Sequence, residues 1–347
     1  MKPRPPVTPD ASAAENPQTA EKNLWFLPCP PEEEEPQWPS TAPTSDAALL
    51  EDWARAEAGA AARLARVAGR FGALDDRLRR GPEGWRHRLA LLEAADLSWF
   101  AGDRVAPDQL ALWIALRLSG VQEDAAALAR AGWAVRRLTG GPGPETDLAA
   151  FLDRRDPGSL LEDAEPFSDR AGGWRALMLA AVDLHPITRA CMGFHVWGLT
   201  GLGQQGGPME AALTAGRIAA SEGRGAVFAP LAMGGALGLR AGGPPTQRLA
   251  RWLDGMDRAI LTAMRHLDDI EAWNTRAAAA MAQASGRTPP ALRRALTAWP
   301  LISAPMAAAI TGASRAAVQR NLGWMEEQGL IREMTGQGRF RLWRALV

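Results

Sequence analysis

The amino-acid sequence predicts a mostly α protein: a multi-helix body followed by a C-terminal winged helix-turn-helix with a small β-hairpin wing. Three observations carry that expectation. Apolar residues recur at three- and four-residue spacings through most of residues 46–287, the period of helices with one buried face. The segment TGASRAAVQRNL (311–322) places a glycine turn and a capping serine directly before a helix whose polar residues are Arg, Gln, Arg and Asn. The runs GLIREM and RFRLWR alternate on either side of TGQG (335–338), which is the pattern of a hairpin.

Residues 1–45 are rich in Pro, Ser, Thr and Glu, a composition that buries too little apolar surface to offset chain entropy, so a disordered tail is expected there. Within it LWFLP (24–28) and Trp38 form apolar islands around PPEEEEP, read either as an arm laid on the body or as a partner-docking peptide.

The body is expected to span 46–287. Ser45 suits an N-cap, and Leu50, Trp53, Glu57, Ala60, Leu64, Val67, Phe71, Leu74 and Leu78 mark one helix ending at Gly81-Pro82. Further helices are predicted near 83–101, 107–118 with Pro107 opening it, and 123–138, before the break GGPGP (140–144). Others follow near 146–154, 171–197, 208–221 and 245–283. The last carries Leu249, Leu253, Met256, Ile260, Met264, Leu267, Ile270 and Trp273 on one stripe. Strand-like alternation is almost absent before residue 328, and no internal repeat occurs.

The module is expected over 288–347. Its first helix begins near Pro290 and runs to about Trp299, Ser303 caps a second with Pro305 in its first turn, and Ser314 caps a third after Gly312-Ala313. On that third helix Val318, Leu322 and Met325 share a face, while Ala316, Gln319, Arg320 and Gly323 lie roughly opposite. Small residues permit close approach to a duplex, Gln can bond adenine, and Arg can bond guanine or phosphate. The expected DNA contacts are Ser314, Arg315, Gln319 and Arg320 on the helix and Arg332, Arg339 and Arg341 on the hairpin.

Charge agrees with that placement. The whole chain is formally neutral, with 39 basic and 39 acidic residues. From Pro290 onward there are eight arginines against three acids, a local charge of about +5, an asymmetry typical of a nucleic-acid-binding end. Cys29 and Cys191 are the only cysteines and no run of about 18 apolar residues occurs, so a reducing cytoplasm and no membrane are expected.

The stretch ISAPMAAAITGASRAAVQRNLGWMEEQGLIREMTGQGRFRLW, together with AALTAGRIAASEGRGAVFAPLAMGGALGLRAGG (211–243), resembles a bacterial family in which a helical domain of unassigned role precedes a helix-turn-helix. The resemblance covers most of 46–347 and implies DNA binding without implying chemistry for the body. LLEAADLSWFAGDRVAPDQL (91–110) is similar to the inhibitory-helix region of Fic-type nucleotide transferases, with Ala101 where the inhibitory glutamate would stand. The Fic signature His-Pro-Phe-x-Asp-Gly-Asn-Gly-Arg is missing. His185-Pro186-Ile187 continues as TRACMGF, with neither acid nor glycine loop, so that resemblance implies a scaffold without nucleotide transfer.

Other candidates in the body are weaker. Gly201-Leu-Gly203-Gln-Gln-Gly206 matches the spacing of a dinucleotide loop but is better read as a helix connector, because no buried parallel strands surround it. Asp183, His185, Cys191 and His195 cluster without a metal-site spacing. SEGRGAVFAPLAMGGALGL (221–239) either lines a pocket with His195, Arg217, Glu222 and Arg224, or is a tight crossing of helices. The expectation is therefore a non-enzymatic, homodimeric regulator of transcription or of a plasmid that binds duplex DNA, with no cofactor, no metal and an unidentified effector. The alternative is a Fic-like enzyme or small-molecule sensor whose winged helix contacts proteins.

Overall fold

The computed structural model describes residues 45–116, 124–154, 166–240, 242–336 and 340–347. The expected tail up to residue 44, the Leu24–Pro28 cluster and Arg339 lie outside them. The described residues carry twelve α-helices and one three-stranded antiparallel sheet, and Ser45–Val347 forms one compact unit.

Two long helices frame the body. α1 (Asp46–Arg80) starts at Ser45, whose hydroxyl accepts from the Ala48 amide, and buries Trp53, Leu64, Val67, Phe71, Leu74 and Leu78. α9 (Pro245–Ala280) buries Leu249, Leu253, Met256, Ile260, Leu267, Ile270 and Trp273, seven of the eight expected stripe residues. At about 1.5 Å per residue each exceeds 50 Å in length. They run parallel, and a ladder of α1 arginines at seven-residue intervals ties them. Arg63 reaches the Ala250 carbonyl at 3.3 Å and Asp254 at 3.5 Å. Arg70 pairs with Asp257. Arg77 meets Asp268 at 2.6 Å and Glu271 at 2.8 Å. A seven-residue interval returns a side chain to the same face after two turns, so one edge of α1 meets successive turns of α9.

α2 (Gly84–Ala101) buries residues all round, among them Trp85, Leu89, Leu91, Glu93, Leu97 and Ser98. α3 (Pro107–Leu116), α4 (Ala125–Thr139) and α8 (Gly203–Ala219) pack against it. α5 (Leu148–Phe151), α6 (Phe167–Ala180) and α7 (Pro186–Val196) complete the body. The single helical stretch expected near 171–197 is two helices. Proline at 186 offers no N–H and its ring clashes with a preceding helical carbonyl, so α6 ends and α7 starts afresh. The His185 imidazole caps α7, with Nδ1 accepting from the Ile187 amide at 3.1 Å. Glu57, the acid within the α1 stripe, accepts from the His185 amide at 3.0 Å.

The C-terminal segment runs α10 (Thr288–Ala298), β1 (Ile302–Ser303), α11 (Ala304–Thr311), α12 (Arg315–Glu327), β2 (Ile331–Glu333) and β3 (Leu342–Ala345). The sheet order is β1-β3-β2, with Ile302 opposite Trp343 and Arg332 opposite Arg344. β1 was not expected, since two residues cannot display an alternating pattern. Leu292, Leu296, Ala307, Val318, Leu322, Met325, Ile331 and Trp343 form the buried centre of this segment. It docks on the body through polar bonds as well. Trp273 Nε1 donates to the Leu330 carbonyl at 2.7 Å, Arg293 donates to Asn274 Oδ1 at 3.0 Å, and Arg344 holds Asp108 of α3 at 2.7 and 2.8 Å.

Candidate nucleic-acid interface

The α11–α12 corner follows from its residues. Ser303 Oγ accepts from the Met306 amide and Ser314 Oγ from the Ala317 amide, each satisfying a helix N-terminus. Gly312 sits at φ 68°, the left-handed conformation that ends α11 and that side-chain-bearing residues adopt with strain. Val318, Leu322 and Met325 are fully buried, which fixes the rotation of α12. The opposite face, with Arg315, Ala316, Gln319 and Arg320, is exposed. Among the described residues neither Arg315 nor Arg320 pairs with a carboxylate. Ser314 is exposed at the same end. Trp324 is half-buried against the core.

The arginines of the segment have separate uses. Arg341 is exposed, yet its guanidinium meets Glu326 at 3.3 Å and lies 5.0 Å from the centre of the Trp343 ring. A phosphate would have to compete with Glu326 for it. Arg344 of β3 is drawn to the body by Asp108. Arg332 is exposed and makes no ion pair among the described residues. Its register partner is Arg344, and paired residues project from the same face of a sheet, so Arg332 stands on the face that turns toward α3. The basic groups left facing solvent from α12 are therefore Arg315 and Arg320.

The body candidates do not form one pocket. Arg217 and Arg224 line a common cleft, Glu222 lines a neighbouring one with Asp75 and His185, and His195 lines neither. The His195 ring is half-buried 6.2 Å from Trp53, 5.2 Å from Phe194 and 6.5 Å from Trp252. Burial, with Arg248 adding repulsion, pulls its pKa down to about 4, so it is neutral at pH 7. Arg217 closes the end of α4, donating to the carbonyls of Arg137 at 2.6 Å and Gly140 at 3.0 Å. Cys191 is wholly buried, and burial raises its pKa. No three His, Cys, Asp or Glu side chains among the described residues are grouped to hold a metal. Residues 197–202 are turns joining α7 to α8, with no strand before Gly201 to build a dinucleotide loop. Where a Fic signature would place its anion loop, TRACMGF is helical and mostly buried.

Loop 221–239 is pinned by two carboxylates that sequence reasoning missed. Asp75 of α1 accepts from the amides of Arg224, Gly225 and Ala226 at 2.7–3.2 Å. Burial opposes its charge, but these three amides and Arg79 outweigh burial and hold the carboxyl below its usual range. A Cβ on Gly225 would fall 2.2 Å from the Asp75 carbonyl oxygen, so α1 and the loop touch backbone to backbone. Glu93 of α2, only 1% exposed, accepts from Leu231, Ala232 and Met233 at 2.8, 3.0 and 3.1 Å. Burial prevails over those bonds and pushes its pKa up to about 7. The glycines and small residues of the loop thus serve a close crossing, while one end of it borders the Arg217 cleft.

No helix among the described residues is long and apolar enough to cross a membrane. No protein-family model matches the chain, and no curated protein matches it.

Proposed function

We propose that residues 288–347 are a winged helix-turn-helix that binds duplex DNA, with α12 in the major groove, and that the protein acts as a homodimeric regulator of transcription or of a plasmid. The observation that carries this reading is the solvent face of α12. Arg315, Ala316, Gln319 and Arg320 stand there together, and neither guanidinium is paired with an acid among the described residues. A buried three-residue seam fixes the helix behind them. Exposed arginines without acidic partners on a rigid helix that is otherwise small-sided combine charge for phosphate with donors for base edges. Paired half-sites about one helical turn apart would raise both affinity and specificity for a dimer.

Two arginines would then have different roles. Arg320→Ala is expected to lower affinity for the preferred duplex by about 1–3 kcal/mol and to relax the preference at one base position. Arg341→Ala should weaken binding to every sequence alike and reduce the salt slope by about one contact. That effect is blunted by the Glu326 pair, which the free protein already makes. Fluorescence anisotropy on the preferred and a scrambled duplex, repeated across salt concentrations, separates the two. Equal losses on both duplexes for both variants would remove the assignment of Arg320 to a base.

A further inference from the structure

The body contains a cleft lined by three arginines that pair with no carboxylate among the described residues. It has a volume of about 410 Å³ and is walled by α2, the 143–146 turn, the end of α8 and the loop that follows it. Arg86, Arg217 and Arg224 line it from three different elements, beside Thr146 and Ser221. Among the described residues the one carboxylate in its wall is Glu145, which is paired with Arg189 at 3.0 Å. Asp75 lies behind the loop and is occupied by the amides of residues 224–226.

None of the three arginines pairs with a carboxylate among the described residues. Among the described residues Arg217 donates to the carbonyls of Arg137, Gly140 and Gly141 and lies over the Phe151 ring. Burial, and then the charge of Arg137, lower its pKa, as expected of a cation that lacks a counter-ion. Arg86 lines the cleft from α2, and its guanidinium makes no ion pair among the described residues. Like charges gathered in a concave site attract an anion strongly, because its walls exclude part of the screening water.

The geometry distinguishes between anions. A carboxylate presents two oxygens in one plane and is satisfied by a single guanidinium fork. Donors arriving from three elements suit a tetrahedral dianion, with the two hydroxyls left for its remaining oxygens or for a sugar. The volume lies within the range of small-molecule sites, about 300–1,000 Å³. We propose that this cleft binds a small phosphorylated metabolite, its phosphoryl group held by Arg86, Arg217 and Arg224. This assignment is independent of DNA binding by the C-terminal segment.

The test is calorimetric titration of the full chain at low ionic strength with ribose 5-phosphate, inorganic phosphate and citrate. Arg86→Gln and Arg224→Gln are the variants of choice, since neither guanidinium holds another described residue in place. Arg217 is left intact because it closes α4. Circular dichroism and the unfolding midpoint check that both variants fold. Saturable one-site binding of ribose 5-phosphate is expected, at least tenfold tighter than citrate, with each variant weakening it tenfold or more and the double variant abolishing it. Inorganic phosphate should compete with ribose 5-phosphate. The proposal is overturned if neither phosphate binds saturably, if citrate binds more tightly, or if the folded double variant binds as the wild type does. It is equally overturned if the variants lose duplex DNA while keeping ribose 5-phosphate, which would make these arginines contacts to a nucleic-acid backbone.

Discussion

Replacing Glu93 with alanine is expected to destabilise the folded chain by about 4 kcal/mol or more, since each buried amide left without an acceptor costs about 1–3 kcal/mol. Three such amides, those of Leu231, Ala232 and Met233, depend on this one carboxylate, and the lost side chain adds a cavity. Glu93→Gln is expected to be milder. Its single amide oxygen can still accept from two of the three amides, while its NH₂ faces the third.

The two variants also differ from the wild type in pH dependence, and the sign follows from where the proton sits. The folded carboxyl titrates near 7 against 4.5 for the free group. Between those values the folded chain keeps a proton that the unfolded chain has released, so stability falls as pH rises through the window. The full stabilisation is present below about pH 4.5, and a contribution of about 3 kcal/mol is gone above about pH 7. Denaturant unfolding of the wild type and Glu93→Gln at intervals from pH 4.5 to 8 checks this. The difference between the two curves should slope through that window and flatten above it. A constant difference would mean that Glu93 is already ionised throughout, held by its three amides.

Arg88→Met is expected to have a comparable effect, about 3–5 kcal/mol from lost hydrogen bonds to a charged donor, but confined to the attachment of the C-terminal segment. The Arg88 guanidinium takes up the end of α10. Nε donates to the carbonyls of Thr297 at 3.2 Å and Ala298 at 3.3 Å, and Nη2 donates to those of Leu296 and Trp299. Trp85 Nε1 adds a bond to Thr297 at 3.2 Å. A cation at a helix C-terminus is favoured by the helix dipole as well. Burial brings the Arg88 pKa down to about 10, which leaves it charged at neutral pH. Methionine keeps the aliphatic stem and removes only the donors. Hydrogen exchange should then show faster opening of 288–347, with the α1–α9 pair protected as before. Uniform acceleration across the chain would mean that body and segment unfold as one and that the contact is not local.

Much of the secondary structure was legible because it depends on neighbours in sequence. The α1 and α9 stripes, the caps at Ser45, Ser303 and Ser314, and the Gly312 turn all follow from residues within one or two turns of one another. The Arg63, Arg70 and Arg77 ladder was also present as a seven-residue interval, but its acidic partners lie more than 180 residues away, and spacing alone does not supply them. The same distance hid the most heavily bonded polar groups. Glu93 reads as one more polar residue of α2, three before Asp96, and its role appears only when loop 231–233 is laid against it. Arg88 reads as one more surface arginine until the end of α10 arrives beside it. His195, Arg217, Glu222 and Arg224 are near in sequence, yet His195 packs among Trp53, Phe194 and Trp252, Glu222 lines one cleft, and Arg217 and Arg224 share another. On α12 the reading from sequence and the exposed face coincide. On the hairpin, Asp108 and Glu326 take up arginines whose partners the local pattern could not show.

Selection of the full-length protein on a pool of randomised duplexes, with affinity followed across salt concentration, decides whether the solvent face of α12 reads duplex DNA as proposed. Enrichment of a motif with two-fold symmetry and half-sites about one helical turn apart is expected, with log affinity falling steeply against log salt. Absence of both enrichment and salt-sensitive retention would contradict it and leave Arg315 and Arg320 as contacts for a protein partner.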